Sequence, residues 1–100
     1  MSGFERKTEP IPIRRIAYFN GNVQGIGFRY TACQIAKDHA VVGYVKNLLD
    51  GRVEIIAEGL PQDVDRFVAN VEQIMKSYIE FTTSTDSTAT AEYASFGIEY

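Results

Sequence analysis

Residues 21–30 read GNVQGIGFRY, three glycines and an asparagine followed by one arginine. A glycine-rich loop lets consecutive backbone N–H groups turn inward to receive an anion, and Arg29 beside it supplies a bidentate fork suited to phosphate oxygens. The spacing is not that of a dinucleotide-binding GxGxxG run, and no GK[ST] follows, so a nucleotide fingerprint is not read here. Asn47 is the second residue of interest, because it lies near the end of a strand, just before a hairpin turn. A glycine turn before a helix with a surface arginine is also an ordinary structural device, so residue type alone leaves the anion site as one of two readings.

The elements that must position these residues follow from periodicity. Residues 15–20, RIAYFN, read as a strand ending at Gly21, with Ile16/Tyr18 or Ala17/Phe19 as the buried face. A helix is predicted from Phe28 to His39, with Phe28, Ala32, Ile35 and Ala36 on its apolar side. Residues 41–49, VVGYVKNLL, form a second strand, and Asp50-Gly51 reads as a two-residue hairpin turn. The third strand then alternates Val53, Ile55 and Ala57 with Arg52, Glu54, Ile56 and Glu58 up to Gly59. Pro61 suits a first helical position, and Val64, Phe67, Val68, Val71, Ile74 and Met75 give a second amphipathic helix. YIEFTT at 78–83 is a fourth strand, and the Ser/Thr-rich run STDSTATA at 84–91 reads as a loop or ragged strand ends. A short last strand carries Phe96, Ile98 and Tyr100.

The order is β-α-β-β-α-β plus a short strand. This predicts an α+β, ferredoxin-like βαββαβ sandwich: a mainly antiparallel sheet of four to five strands with two helices on one face. The first two strands then run the same way with one strand between them, about 9–10 Å apart, so Arg29 and Asn47 can reach across one sheet edge.

Composition bounds the rest. One hundred residues suit a single domain, here 15–100, preceded by a flexible tail at 1–14 with Pro10 and Pro12. The net charge of −3 argues against a nucleic-acid partner, and the third strand lacks the stacking aromatics of an RNA-binding sheet. No apolar run reaches the roughly 18 residues of a membrane span, and the N-terminus lacks the apolar core of a signal peptide. A single cysteine, Cys33, points to a reducing, cytoplasmic setting and to packing in a helix rather than to a catalytic thiolate. His39, ending the first helix, reads as a partner for the helix dipole.

Two segments together resemble a known family. GNVQGIGFR at 21–29 is similar to the acylphosphatase signature, a Gly-x-Val-Gln-Gly-Val/Ile-x-Phe-Arg run. GYVKNLLDGRVEIIAEG at 43–59 resembles that family's second block, with Tyr44 where the family often has Trp. The resemblance implies hydrolysis of an acyl phosphate, a small-molecule substrate, to a carboxylate and inorganic phosphate, with no metal and no cofactor. It implies that Arg29 and Asn47 are the catalytic pair, Arg29 on the phosphoryl group and Asn47 on the attacking water. It also implies phosphate binding by the backbone of Val23, Gln24, Gly25, Ile26, Gly27 and Phe28. A monomer is the default expectation. Ala40 stands where the family usually has Gly, and a left-handed backbone there would cost about 1 kcal/mol. The competing reading is a non-catalytic anion-binding module on the same fold, which would have no use for Asn47.

Overall fold

Five strands hydrogen-bond in the order β4-β1-β3-β2-β5. In this computed structural model, which describes residues 10–100, β1 spans Ile13–Gly21, α1 Phe28–Ala36, β2 Val42–Asn47 and β3 Val53–Gly59. They are followed by α2 over Pro61–Ile74, a 3-10 turn at Lys76–Tyr78, β4 over Ile79–Thr88 and β5 over Phe96–Glu99. β3 lies antiparallel to both β1 and β2, which makes those two parallel, and β5 joins β2 in parallel. The chain therefore has the expected ferredoxin-like α+β architecture. No helix among the described residues is long and apolar enough to cross a membrane. Residues 1–9 of the expected tail lie outside the described residues, whereas Ile13 and Arg14, assigned to it from the sequence, are the first residues of β1.

The alternation left open in β1 resolves toward Ala17 and Phe19, both fully buried. They share a face with Val45, Val53, Ile55 and Ala57, and onto that face pack Phe28, Ala32, Ile35 and Ala36 of α1 with Val64, Phe67, Val68 and Val71 of α2. At about 25 cal/mol per Å² of buried apolar surface, this continuous layer is the main source of stability. Two boundaries move. α1 ends at Ala36 and not His39, because Lys37, Asp38 and His39 donate back to Gln34, Ile35 and Ala36 in i to i−3 bonds that tighten the last turn. Ile74, read as part of the α2 stripe, is exposed, while Met75 is buried.

The run at 84–91 needs the largest correction. β4 continues through Thr88 and pairs with β1 over its whole length, from Gly21↔Ile79 to Ile13↔Thr88. It is an edge strand with both faces largely wet, so it carries no hydrophobic alternation, and its threonines suit the pleated backbone. Arg15 fixes it further, gripping Asp86 at 2.8 and 2.9 Å and reaching Asp65 of α2 at 2.8 Å. Segment 89–93 then crosses the sheet's other face, where Tyr93 meets Tyr44 edge-on at 6.0 Å. Ala40 does not adopt the left-handed backbone; among the described residues the non-glycine residue that does is Ala91, at φ 59°.

Candidate active site

The glycine loop leaves β1 pinned at its start, where Asn22 N–H donates to Tyr78 O at 3.0 Å. Val23 and Phe28 then bury their side chains, Phe28 against Phe19 at 5.2 Å between rings, and Ile26 packs on the core edge. Gly25 and Gly27 lie between these anchors at φ 79° and 80°, and a Cβ on either would meet nothing within 4 Å. These two positions require glycine for backbone conformation and not for space. With apolar side chains turned inward, the loop's backbone faces the cleft.

Gly27 caps α1 without a side-chain hydrogen bond, and the first helical bond runs from Thr31 N–H to Gly27 O at 2.9 Å. The N–H groups of Phe28, Arg29 and Tyr30 thus precede the helical ladder, at the positive end of the dipole. Into this turn the chain places Arg29 and no acid, although a cation is the wrong charge for a helix start. α2 follows the rule, with Asp63 in its first turn. The unfavourable arginine makes physical sense when the site receives an anion. Among the described residues Arg29 pairs with no carboxylate; its guanidinium lies 5.0 Å from the centre of the Tyr100 ring.

Asn47, the last residue of β2, belongs to the same cleft. Arg29 and Asn47 line one cleft of about 160 Å³ together with Val23, Gly25, Gly27, Phe28, Tyr30, Ile98 and Tyr100. The Asn47 Oδ1 is buried and accepts no hydrogen bond from the described residues. Such an acceptor costs free energy, on the order of 1–3 kcal/mol, until a donor reaches it.

The structure therefore brings Arg29, Asn47, Val23, Gly25, Gly27 and Phe28 to one cleft. Ile26 and Gln24 do not line it. Gln24 turns to the β2–β3 hairpin, donating Nε2 to Leu48 O at 2.8 Å and to Arg52 O at 2.9 Å. That hairpin also differs from the expected two-residue turn. Leu48 N–H bonds Arg52 O at 2.8 Å, Gly51 N–H bonds Leu48 O at 3.2 Å, and Gly51 sits at φ 97°. It is a three-residue loop, Leu49 to Gly51, with its glycine in the left-handed position. Asp50 accepts from its neighbour Arg52 at 2.9 Å.

Tyr100 was not singled out in the sequence. β5 pairs Glu99 with Lys46, which brings the next residue, Tyr100, level with Asn47. The alternation of Phe96, Ile98 and Tyr100 was visible, but the parallel partner that carries it to the cleft was not. His39, by contrast, lies away from the cleft, with Nε2 2.8 Å from Asn70 Nδ2.

Known proteins match this chain. Acylphosphatase of Archaeoglobus fulgidus is 49% identical over 55 residues, 55% of this chain and 62% of that protein. The match thus spans less than two thirds of that relative. Acylphosphatase of Bacillus velezensis is 40% identical over 82 residues, covering 81% of this chain and 91% of that protein. The crystal structure of acylphosphatase from Bacillus subtilis superposes with a TM-score of 0.76 at 33% identity, over 88% of this chain and 99% of that one. The acylphosphatase family model matches residues 16–98, from β1 to β5 and including Arg29 and Asn47. With signature, fold and full-domain match in agreement, the chain belongs to the acylphosphatase family.

Proposed function

We propose that the protein hydrolyses acyl phosphates to a carboxylate and inorganic phosphate without a metal or cofactor. Arg29 and the backbone N–H groups of the 23–28 loop bind the phosphoryl group, and Asn47 holds the attacking water. The observation that supports this most is that Asn47 lines the same cleft as Arg29 with a side-chain oxygen that accepts no hydrogen bond from the described residues. A rotation of the Asn47 side chain that turns Oδ1 into the cleft lets a water donate one hydrogen to it and keep its lone pair for phosphorus. A simple anion binder has no need of such an acceptor.

The chemistry asks for little else. The leaving group is a carboxylate whose conjugate acid has a pKa of about 4, so it departs without a general acid. The transition state at phosphorus is loose, with charge spread over the equatorial oxygens, and positioning plus charge stabilisation supply most of the catalysis. Arg29 and the loop amides neutralise those oxygens. Asn47 is not a base, so a phosphoryl oxygen takes the water's proton. The side chains lining the cleft include no carboxylate or imidazole to ligate a metal. A cytoplasmic setting, resting on the lone cysteine, is part of this reading, and a monomer is its default.

The test is the hydrolysis of benzoyl phosphate in EDTA by the native chain, Arg29→Ala and Asn47→Ala. Arg29→Ala should lose about 100-fold or more and also bind inorganic phosphate less well. Asn47→Ala should lose kcat, on the order of 100-fold, with phosphate affinity nearly kept. Phosphate binding by a native chain that turns over no acyl phosphate would replace this reading with the anion-binding module.

A further inference from the structure

We infer that Gln24 is a positioning residue acting through the β2–β3 hairpin: its side chain aims Asn47 and does not contact the phosphoryl group. The inference rests on the reading of the cleft given above. Gln24 sits inside the glycine loop, yet its carboxamide is spent on the neighbouring element, 2.8 Å from Leu48 O and 2.9 Å from Arg52 O. Those two carbonyls belong to the rung just beyond Asn47, which pairs with Val53. Each already accepts a backbone N–H, from Gly51 and from Leu48. Gln24 therefore staples the base of the turn on both limbs with one nitrogen.

Asn47 gives this staple its importance. Its Oδ1 takes no hydrogen bond from the described residues, so no side-chain partner fixes the direction of the acceptor. The aim must come from the backbone beneath it. Beyond that backbone lies an exposed tip, with Leu49 wholly exposed and Asp50 bonded only to its neighbour Arg52. Among the described residues, the two Gln24 bonds are the hydrogen bonds that join the glycine loop to the hairpin. They therefore set the distance between the phosphate cradle and the water-holding amide. Few side chains could replace it. A neutral primary amide offers two N–H groups on one nitrogen, glutamate offers none and sets a charge against two carbonyls, and methionine keeps the volume without donors.

The experiment is a double-mutant cycle on benzoyl phosphate hydrolysis, with Gln24→Met and Gln24→Glu made in the native and the Asn47→Ala chains. If Gln24 acts through Asn47, each variant lowers kcat of the native chain about tenfold or more. The inhibition constant for inorganic phosphate stays within about threefold. In the Asn47→Ala chain the same substitutions change kcat by less than about twofold. Equal losses in both backgrounds, or phosphate affinity falling in step with kcat, would overturn the inference and give Gln24 to the cradle or to general stability. Should Gln24→Met not fold, Gln24→Asn, which keeps the donors on a shorter arm, carries the same cycle. The side-chain amide resonances of Asn47 give an answer that does not depend on turnover. They move in Gln24→Met if the staple aims Asn47 and stay in place if it does not. A native chain without hydrolysis but with that movement would remove the proposed function and leave the positioning intact.

Discussion

At its two ends the same sheet carries an arginine beside backbone N–H groups, and the two assemblies differ in what fills them. At the β3 exit, Glu58 is buried and accepts from Arg14 Nε at 2.7 Å, Thr90 N–H at 2.9 Å, Thr90 Oγ1 at 2.9 Å and Ala91 N–H at 3.0 Å. Ala91 takes the left-handed backbone that lets the two consecutive N–H groups converge. Arg14 also reaches Glu92 at 2.7 Å and lies over Tyr93, so segment 89–93 is latched across the sheet. At the β3 entrance, Arg29 and the loop amides have no carboxylate of the described residues between them, and Asn47 lines the same cleft with an unpartnered amide oxygen. The chain closes one anion site with its own side chain and leaves the other open. The first arrangement stabilises the fold, whereas the second costs stability, through a helix-start cation and a buried acceptor without a donor, a cost that the proposed function assigns to binding.

The comparison breaks most sharply on charge removal. Arg29→Ala should abolish activity by the 100-fold or more stated above while leaving the denaturant midpoint where it was or slightly higher, because a cation leaves the positive end of α1. Glu58→Ala should do the reverse, costing about 3 kcal/mol in urea unfolding because Arg14 and two N–H groups lose their partner, while the folded fraction keeps native kcat. A loss below about 1 kcal/mol would show that the latch is not the stabilising counterpart of the cradle. A smaller effect is expected at Gly25→Ala. No atom lies within 4 Å of the new methyl, so its cost is the left-handed backbone alone, about 1 kcal/mol, together with weaker phosphate inhibition as the loop relaxes.

Acid sharpens the contrast further. Burial alone would raise the Glu58 pKa, but the Thr90 N–H, Arg14, the Thr90 hydroxyl and the Ala91 N–H together hold it down at about 2, against 4.5 ordinarily. The folded state therefore binds fewer protons than the unfolded state in this range. The contribution of Glu58 is complete above pH 4.5 and is lost as pH falls toward 2. Asp86 and Glu92, both lowered by their arginine or threonine partners, act in the same direction. The thermal midpoint of the native chain should fall across this window, and Glu58→Gln should flatten that slope without removing it. An unchanged slope would show that Glu58 carries none of the acid sensitivity.

What could be read in the sequence was local or repeated at a fixed period. The apolar side of α1 and most of α2 followed from spacing, and the meeting of Arg29 with Asn47 followed from placing β3 between β1 and β2. The features that escaped depend on partners far along the chain. The second half of β4, residues 84–88, read as a loop or ragged strand ends because an edge strand exposed on both faces needs no alternation, and its identity comes from pairing with β1. Tyr100 enters the cleft through a parallel register with β2 that no turn sets. Gln24 appeared as part of the phosphate loop because its two acceptors, Leu48 and Arg52, lie across a hairpin whose loop length was itself misread. Even the Glu58 assembly was invisible, since a glutamate in an alternating strand reads as a solvent-facing residue until segment 89–93 folds over it.

The central claim is that a water held by Asn47 attacks phosphorus in the cradle formed by Arg29 and the loop amides. Hydrolysis of benzoyl phosphate in ¹⁸O-labelled water, with mass analysis of both products, tests it most directly. The account predicts the label in inorganic phosphate and none in benzoate. Label in benzoate would mean attack at the carbonyl carbon and would contradict the assignment of Asn47 and the cleft.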